Sequence, residues 1–152
     1  MDLGYKYGVW LYVDDEEIGT EHISHITIAC FMEKEDAIRL CRELIQEVGE
    51  TIYIEINKKG CIFDDNTSYI DDKNDIFGWG YYGKSKMWKK IEEISKKYSC
   101  NFSFSPHLSM EYRKNRQELK PYDLICNKKV KGIIKAVNIN GSDPKLWHII
   151  EV

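Results

Sequence analysis

The chain has 152 residues, of which 43% are hydrophobic and 31% charged, and its formal net charge is −3 at pH 7. That length is enough for a core without disulfide or metal staples, and one domain over 1–152 is expected. The negative balance excludes general electrostatic attraction to nucleic acid, so any nucleotide must be held by a local site.

In chain order, "YGVWLYV" (7–13) alternates aromatic and β-branched residues and predicts a strand. Within it Val9, Leu11 and Val13 share one face, and Trp10 and Tyr12 the other. "SHITIACF" (24–31) predicts a second strand. "KEDAIRLCRELIQEVG" (34–49) carries Ala37, Cys41, Leu44 and Val48 at helical spacing, with acidic residues in its first turn and Gly49 at its end. "TIYIEI" (51–56) is the next strand and "NKKG" its turn. The acidic stretch 64–75 lacks the glycine and closing Glu of a calcium-binding EF-hand loop, so it reads as a solvated loop.

"IFGWGYYG" (76–83) is strand-like. In "SKMWKKIEEISKKY" (85–98), Met87, Ile91, Ile94 and Tyr98 share one helical face, with Ser85 as N-cap. Pro106 introduces the strand "HLSMEY". After Pro121 come "KVKGIIKAVNING" (129–141), the turn "GSDP" and a closing strand "KLWHIIEV" (145–152). The order β β α β β α β β β predicts an α+β domain, helices on antiparallel sheets. It divides into two halves, each with a helix and a strand bearing histidine.

Location is read from three features. The five cysteines (30, 41, 61, 100 and 126) are scattered, odd in number and free of any C-x-x-C pair, which predicts reduced thiols. "MDLGYKYG" has no signal-peptide layout, and no apolar run approaches the roughly 20 residues of a membrane span. A cytoplasmic protein with no membrane or obligate protein partner is expected, and the sequons at Asn66 and Asn101 would then go unused. The excess of lysine over arginine suggests an AT-rich genome, compatible with a virus or with many bacteria.

The chemistry lies in the histidines. Three of the four stand two residues before a hydroxyl: His22 before Ser24, His25 before Thr27, and His107 before Ser109. Strand alternation puts His25 and Thr27 on one face, and Ile26, Ile28 and Cys30 on the other. His22 has the opposite parity and reads as a strand-entry or surface residue. On the second strand His107, Ser109 and Glu111 share a face, while Leu108, Met110 and Tyr112 point away. Two imidazoles on adjacent strands suit phosphoryl transfer by general base and general acid, with Thr27 and Ser109 donating to the non-bridging phosphate oxygens. Two competing readings are a pair of structural histidines and a zinc site, for which no third ligand aligns.

"SHITIA" and "PHLSMEY" resemble the paired H-x-[ST] motifs of the 2H phosphoesterases. The opening "GVWLYV" strand, the "HLS...Y" ending and Trp147 in the closing hairpin are similar to the cyclic phosphodiesterase-like branch. The resemblance implies a bilobed α+β fold, two antiparallel sheets lining a central cleft with helices outside. It implies metal-independent hydrolysis of 2′,3′-cyclic phosphates or related 2′/3′ nucleotide phosphodiesters, without cofactor, by His25 and His107 with Thr27 and Ser109 on the phosphate.

The substrate is then a nucleotide, cyclic nucleotide or oligonucleotide. Linear or cyclic oligonucleotide messengers degraded to counter host defence are one alternative; a non-catalytic nucleotide- or RNA-binding module is another. Trp10, Tyr12 and Trp79 are the candidate base-stacking residues, with Gly78 and Gly80 leaving room for a planar ligand beside Trp79.

Overall fold

The computed structural model describes residues 6–13, 15, 18, 23–63, 77–98, 105–113, 115–139 and 147–150. His22, the acidic loop 64–75, the "GSDP" turn, Cys100 and both sequons lie outside them. The elements are β1 (Tyr7–Val13), β2 (His25–Met32), α1 (Lys34–Val48), β3 (Thr51–Ile56), β4 (Cys61–Phe63), β5 (Phe77–Lys84), α2 (Trp88–Ser95), β6 (His107–Arg113), β7 (Lys128–Asn138) and β8 (His148–Ile150). The fold is α+β: among the described residues there are two α-helices, a short 3-10 helix at Arg116–Glu118, and strand pairings that are all antiparallel. The order matches the pattern expected from sequence except for β4, whose three residues are too short to show a period. Ser85 is not the N-cap expected from sequence: α2 starts at Trp88 with Met87 at its N-cap, and the Ser85 Oγ accepts from Met87 N at 3.1 Å in the turn before the helix. No helix among the described residues is long and apolar enough to cross a membrane.

The pairings form an eight-stranded sheet in the order β1-β2-β6-β5-β3-β7-β8, and β7 also pairs β1, so six strands run round a ring. The ring is uneven. The β1–β7 ladder has seven residue pairs and the β3–β7 ladder six. By contrast, β3 meets β5 only at Glu55↔Lys84 and Ile56↔Gly83, and β2 meets β6 only at Ile26↔Leu108. Two well-laddered groups, β2-β1-β7-β3 and β6-β5-β4, therefore touch along two short seams.

One face of the ring carries the main core. It joins Leu11, Ile26, Ile28, Ile54, Tyr81 and Leu108 to Leu40 and Leu44 of α1 and Ile91 of α2, all fully buried. Burial of this kind removes apolar surface at roughly 25 cal/mol per Å² and is what holds the helices to the sheet. The helices are also clasped together: Glu43 of α1 pairs with Lys97 and accepts from Tyr98 Oη at 2.8 Å. Burial pushes the Cys41 thiol up to about 11, which keeps it protonated inside this core. The four cysteines among the described residues are free thiols.

Three bulges depart from simple alternation. On β2, Val9↔Ala29 is followed by Trp10↔Thr27, and Tyr7↔Met32 precedes them, so β2 carries an extra residue twice. Phe31, at φ 59°, sits at the second of these. The parity shift turns Cys30 away from Ile26 and Ile28 and into a second small cluster with Trp10, Val137 and Ile139. That corrects the expected placement of Cys30 on the face of Ile26 and Ile28.

The third bulge is on β6, where Gly80↔Ser109 is followed by Trp79↔Glu111 and Met110 is the extra residue. Past it the faces swap. Tyr112, expected to face away from the histidine, turns toward Trp147 with ring centroids 6.0 Å apart, and Glu111 leaves the shared face to pair with Arg113 at 3.5 Å. Gly80 makes this bulge feasible, because a Cβ there would lie 1.8 Å from the Leu108 carbonyl oxygen. The space beside Gly80 is thus filled by the β6 backbone and is not open to a ligand. Gly80→Ala should lower stability by about 2–4 kcal/mol through this backbone clash. In a thermal melt that is a fall in Tm of roughly 5–15 °C; an unchanged Tm would mean that β5 and β6 are not so closely apposed.

Candidate active site

The seam between β2 and β6 brings the two histidine strands side by side. Its single pair, Ile26↔Leu108, is fully buried on the core face, so the neighbours of both residues point the other way. Antiparallel register about this pair sets His25 opposite Ser109 and Thr27 opposite His107. The four side chains form a square, imidazoles on one diagonal and hydroxyls on the other. Diagonal neighbours in such a ladder stand roughly 7 Å apart at Cβ, within reach of one tetrahedral group held between them.

The rows extend across the flanking strands. Tyr12 pairs with His25 and Gly80 with Ser109; Trp10 pairs with Thr27 and Tyr82 with His107. One row reads Tyr12, His25, Ser109, Gly80 and the other Trp10, Thr27, His107, Tyr82. Each imidazole is thus bordered by an aromatic strand on its outer side.

Both imidazoles are held in the same way. His25 Nδ1 lies 2.7 Å from the carbonyl oxygen of Ile23, and His107 Nδ1 lies 2.8 Å from that of Ser105, in each case two residues upstream. A carbonyl can only accept, so both Nδ1 atoms carry hydrogen, and in the neutral rings Nε2 is the unprotonated nitrogen. Ring packing fixes the planes. His25 stacks on Trp10 with centroids 3.6 Å apart and 9° between planes, and Trp147 meets it edge-on at 6.2 Å. His107 lies against Phe63 at 4.1 Å and 32°, with Tyr82 edge-on at 6.4 Å.

The hydroxyls differ from ordinary buried polar groups. Ser109 is 2% exposed and Thr27 half-buried, and neither has a hydrogen-bond partner among the described residues. Leaving a buried hydroxyl unpaired costs about 1–3 kcal/mol, which sets these two apart from the hydrogen-bonded polar groups around them. His25 and Ser109 are the buried polar residues among those described. Both belong to the square. No group of three His, Cys, Asp or Glu able to hold a metal ion occurs among the described residues.

The stacking candidates fare differently from expectation. Trp10 is 1% exposed and its ring face is taken by His25, so it supports the imidazole and not a base. Trp79 is 4% exposed within the main core, edge-on to Tyr81 and Tyr122, and offers no free face. Tyr12 stays half-exposed beside His25. Phe63, Tyr82 and Tyr112 reach the site without having been singled out from the sequence. For Tyr112 the signal was present: a glycine inside a strand, Gly80, marks a bulge that reverses parity beyond it.

No protein-family model and no curated protein sequence matches this chain. The carbonyl contacts give a direct spectroscopic expectation: at a pH where both rings are neutral, long-range proton–nitrogen correlation spectra should report His25 and His107 as Nδ1–H tautomers. An Nε2–H form at either ring would break the shared geometry.

Proposed function

We propose that the protein is a phosphoric diester hydrolase acting on 2′/3′ nucleotide phosphodiesters by paired-histidine acid–base catalysis, of the 2H phosphoesterase type. The observation that carries this reading is the square at the β2–β6 seam, two imidazoles each held at Nδ1 by a carbonyl, beside two hydroxyls that have no hydrogen-bond partner among the described residues. The two strand groups joined by short seams support a two-lobed arrangement with the histidines where the lobes meet. A cytoplasmic setting is part of the same proposal.

In the proposed reaction one neutral imidazole takes the proton from the attacking oxygen through Nε2. The other, protonated, passes a proton from its Nε2 to the leaving oxygen as the P–O bond breaks, so the two rings exchange protonation states over the step. Each transfer typically contributes about 10²–10⁴ in rate. Charge building on the non-bridging oxygens is met by Thr27 and Ser109, hydroxyls already in place and without a competing partner among the described residues. The stacked rings and carbonyl contacts hold both imidazoles ready, so little reorganisation accompanies the step.

His25→Ala and His107→Ala should each reduce turnover of a nucleotide phosphodiester by about 10³-fold or more with substrate affinity largely kept, because proton transfer matters mainly in the transition state. The double variant should be little worse than either single one, since the pair acts as a unit. Thr27→Ala and Ser109→Ala should be intermediate. Activity should persist in EDTA and follow a bell-shaped pH profile, as one ring must be neutral and the other charged. Loss of turnover in chelator, restored by zinc or manganese, would replace this mechanism with a metal-assisted one.

A further inference from the structure

Among the large apolar or aromatic residues that stand exposed is one that borders the histidine square. Tyr82 is 47% exposed and is the register partner of His107, on the same face of β5 and β6. Phe63 meets it edge-on at 5.1 Å and lies against the His107 ring, so Tyr82 is braced from one side while a substantial part of it remains open to solvent. On the far side of the square Tyr12 is the register partner of His25, and it too is only half-buried. Between the two tyrosines lie the histidines and hydroxyls. The site therefore has an accessible aromatic ring at each end, one beyond each imidazole.

An aromatic ring beside a phosphate site, open and laterally supported, is the surface on which a nucleobase stacks, whatever the base. A terminal cyclic phosphate brings one base to the phosphate, whereas an internucleotide linkage brings one on each side. We propose that Tyr82 is a nucleobase platform, and that with Tyr12 it selects a phosphodiester flanked by two nucleosides over a mononucleotide 2′,3′-cyclic phosphate. This rests on the paired-histidine reading above and specifies its substrate class. It keeps the stacking role expected of Tyr12 and replaces the buried Trp10 and Trp79 with Tyr82, which a ligand can reach.

The test compares adenosine 2′,3′-cyclic phosphate, the 2′–5′ and 3′–5′ dinucleoside monophosphates of adenosine, and cyclic di-AMP, with turnover and equilibrium binding measured for each. The wild-type protein should bind at least one two-base ligand about 10-fold or more tightly than the cyclic mononucleotide. Tyr82→Ala should weaken binding of that two-base ligand by about 5- to 150-fold, the range of one stacked base, with the loss appearing in KM more than in kcat. Tyr82→Phe should restore it, because the ring and not the hydroxyl is what stacks. Circular dichroism of Tyr82→Ala checks that the fold is intact.

Equal affinity for one- and two-base ligands, or a Tyr82→Ala protein that binds the two-base ligand as wild type does, would overturn the proposal. If hydrolysis persisted in that case, acid–base catalysis would stand and only the platform would fall. Binding that depends on Tyr82 without turnover of any of these ligands would instead retain the platform and remove the catalytic reading.

Discussion

The site depends on a single residue pair. Ile26 and Leu108 meet across the β2–β6 seam with both side chains in the core, and this contact alone joins the two histidine strands in register. Side chains alternate along a strand, so a slip of one residue in either strand would drive its histidine into the core and lift an aliphatic side chain into the site. Hydrophobic burial on one face thereby dictates chemistry on the other. The Ile26 and Leu108 side chains lie in the core, yet they determine which four side chains share the opposite face.

Around that pair the protein fixes each imidazole with short-range means. The carbonyl two residues upstream sets which nitrogen bears hydrogen, and a neighbouring ring sets the plane. The two halves use different aromatics for the same end: Trp10 of β1 beneath His25, and Phe63 of β4 against His107. The surroundings differ as well, since His25 is nearly sealed by Trp10 and Trp147 while His107 sits partly open beside Tyr82.

Much of this was legible in the sequence because it depends on period. Alternation in 24–31 and 107–112 was enough to put His25 with Thr27 and His107 with Ser109, and helical spacing marked α1 from Ala37 to Val48. What stayed hidden were breaks in period. The β2 bulges carry no glycine of their own; the nearest sign is Gly8 on the partner strand, whose missing Cβ admits the Ala29 carbonyl. They reassign Cys30, and the β6 bulge reassigns Glu111 and Tyr112. Burial of Trp10 and Trp79 was equally unreadable, because an aromatic beside a site has the same composition whether it stacks on substrate or on a histidine. β4, which delivers Phe63, is too short to have a period at all.

Strand β7 has a further meaning for how the chain reaches this state. It holds β1 along one edge and β3 followed by β8 along the other, so three strands are organised on one template. Its partnership with β1, from Tyr7↔Asn138 to Val13↔Gly132, links segments at opposite extremes of the described chain. Contacts of such separation must be bought with loop-closure entropy before they return any energy, and they place the protein among slow, high-contact-order folders. During synthesis β1 and β2 emerge early, with their apolar face made and their template still to come. The hairpin that carries His25 must therefore wait in an incomplete sheet, with a strand edge exposed to other chains, until β7 arrives to cover it.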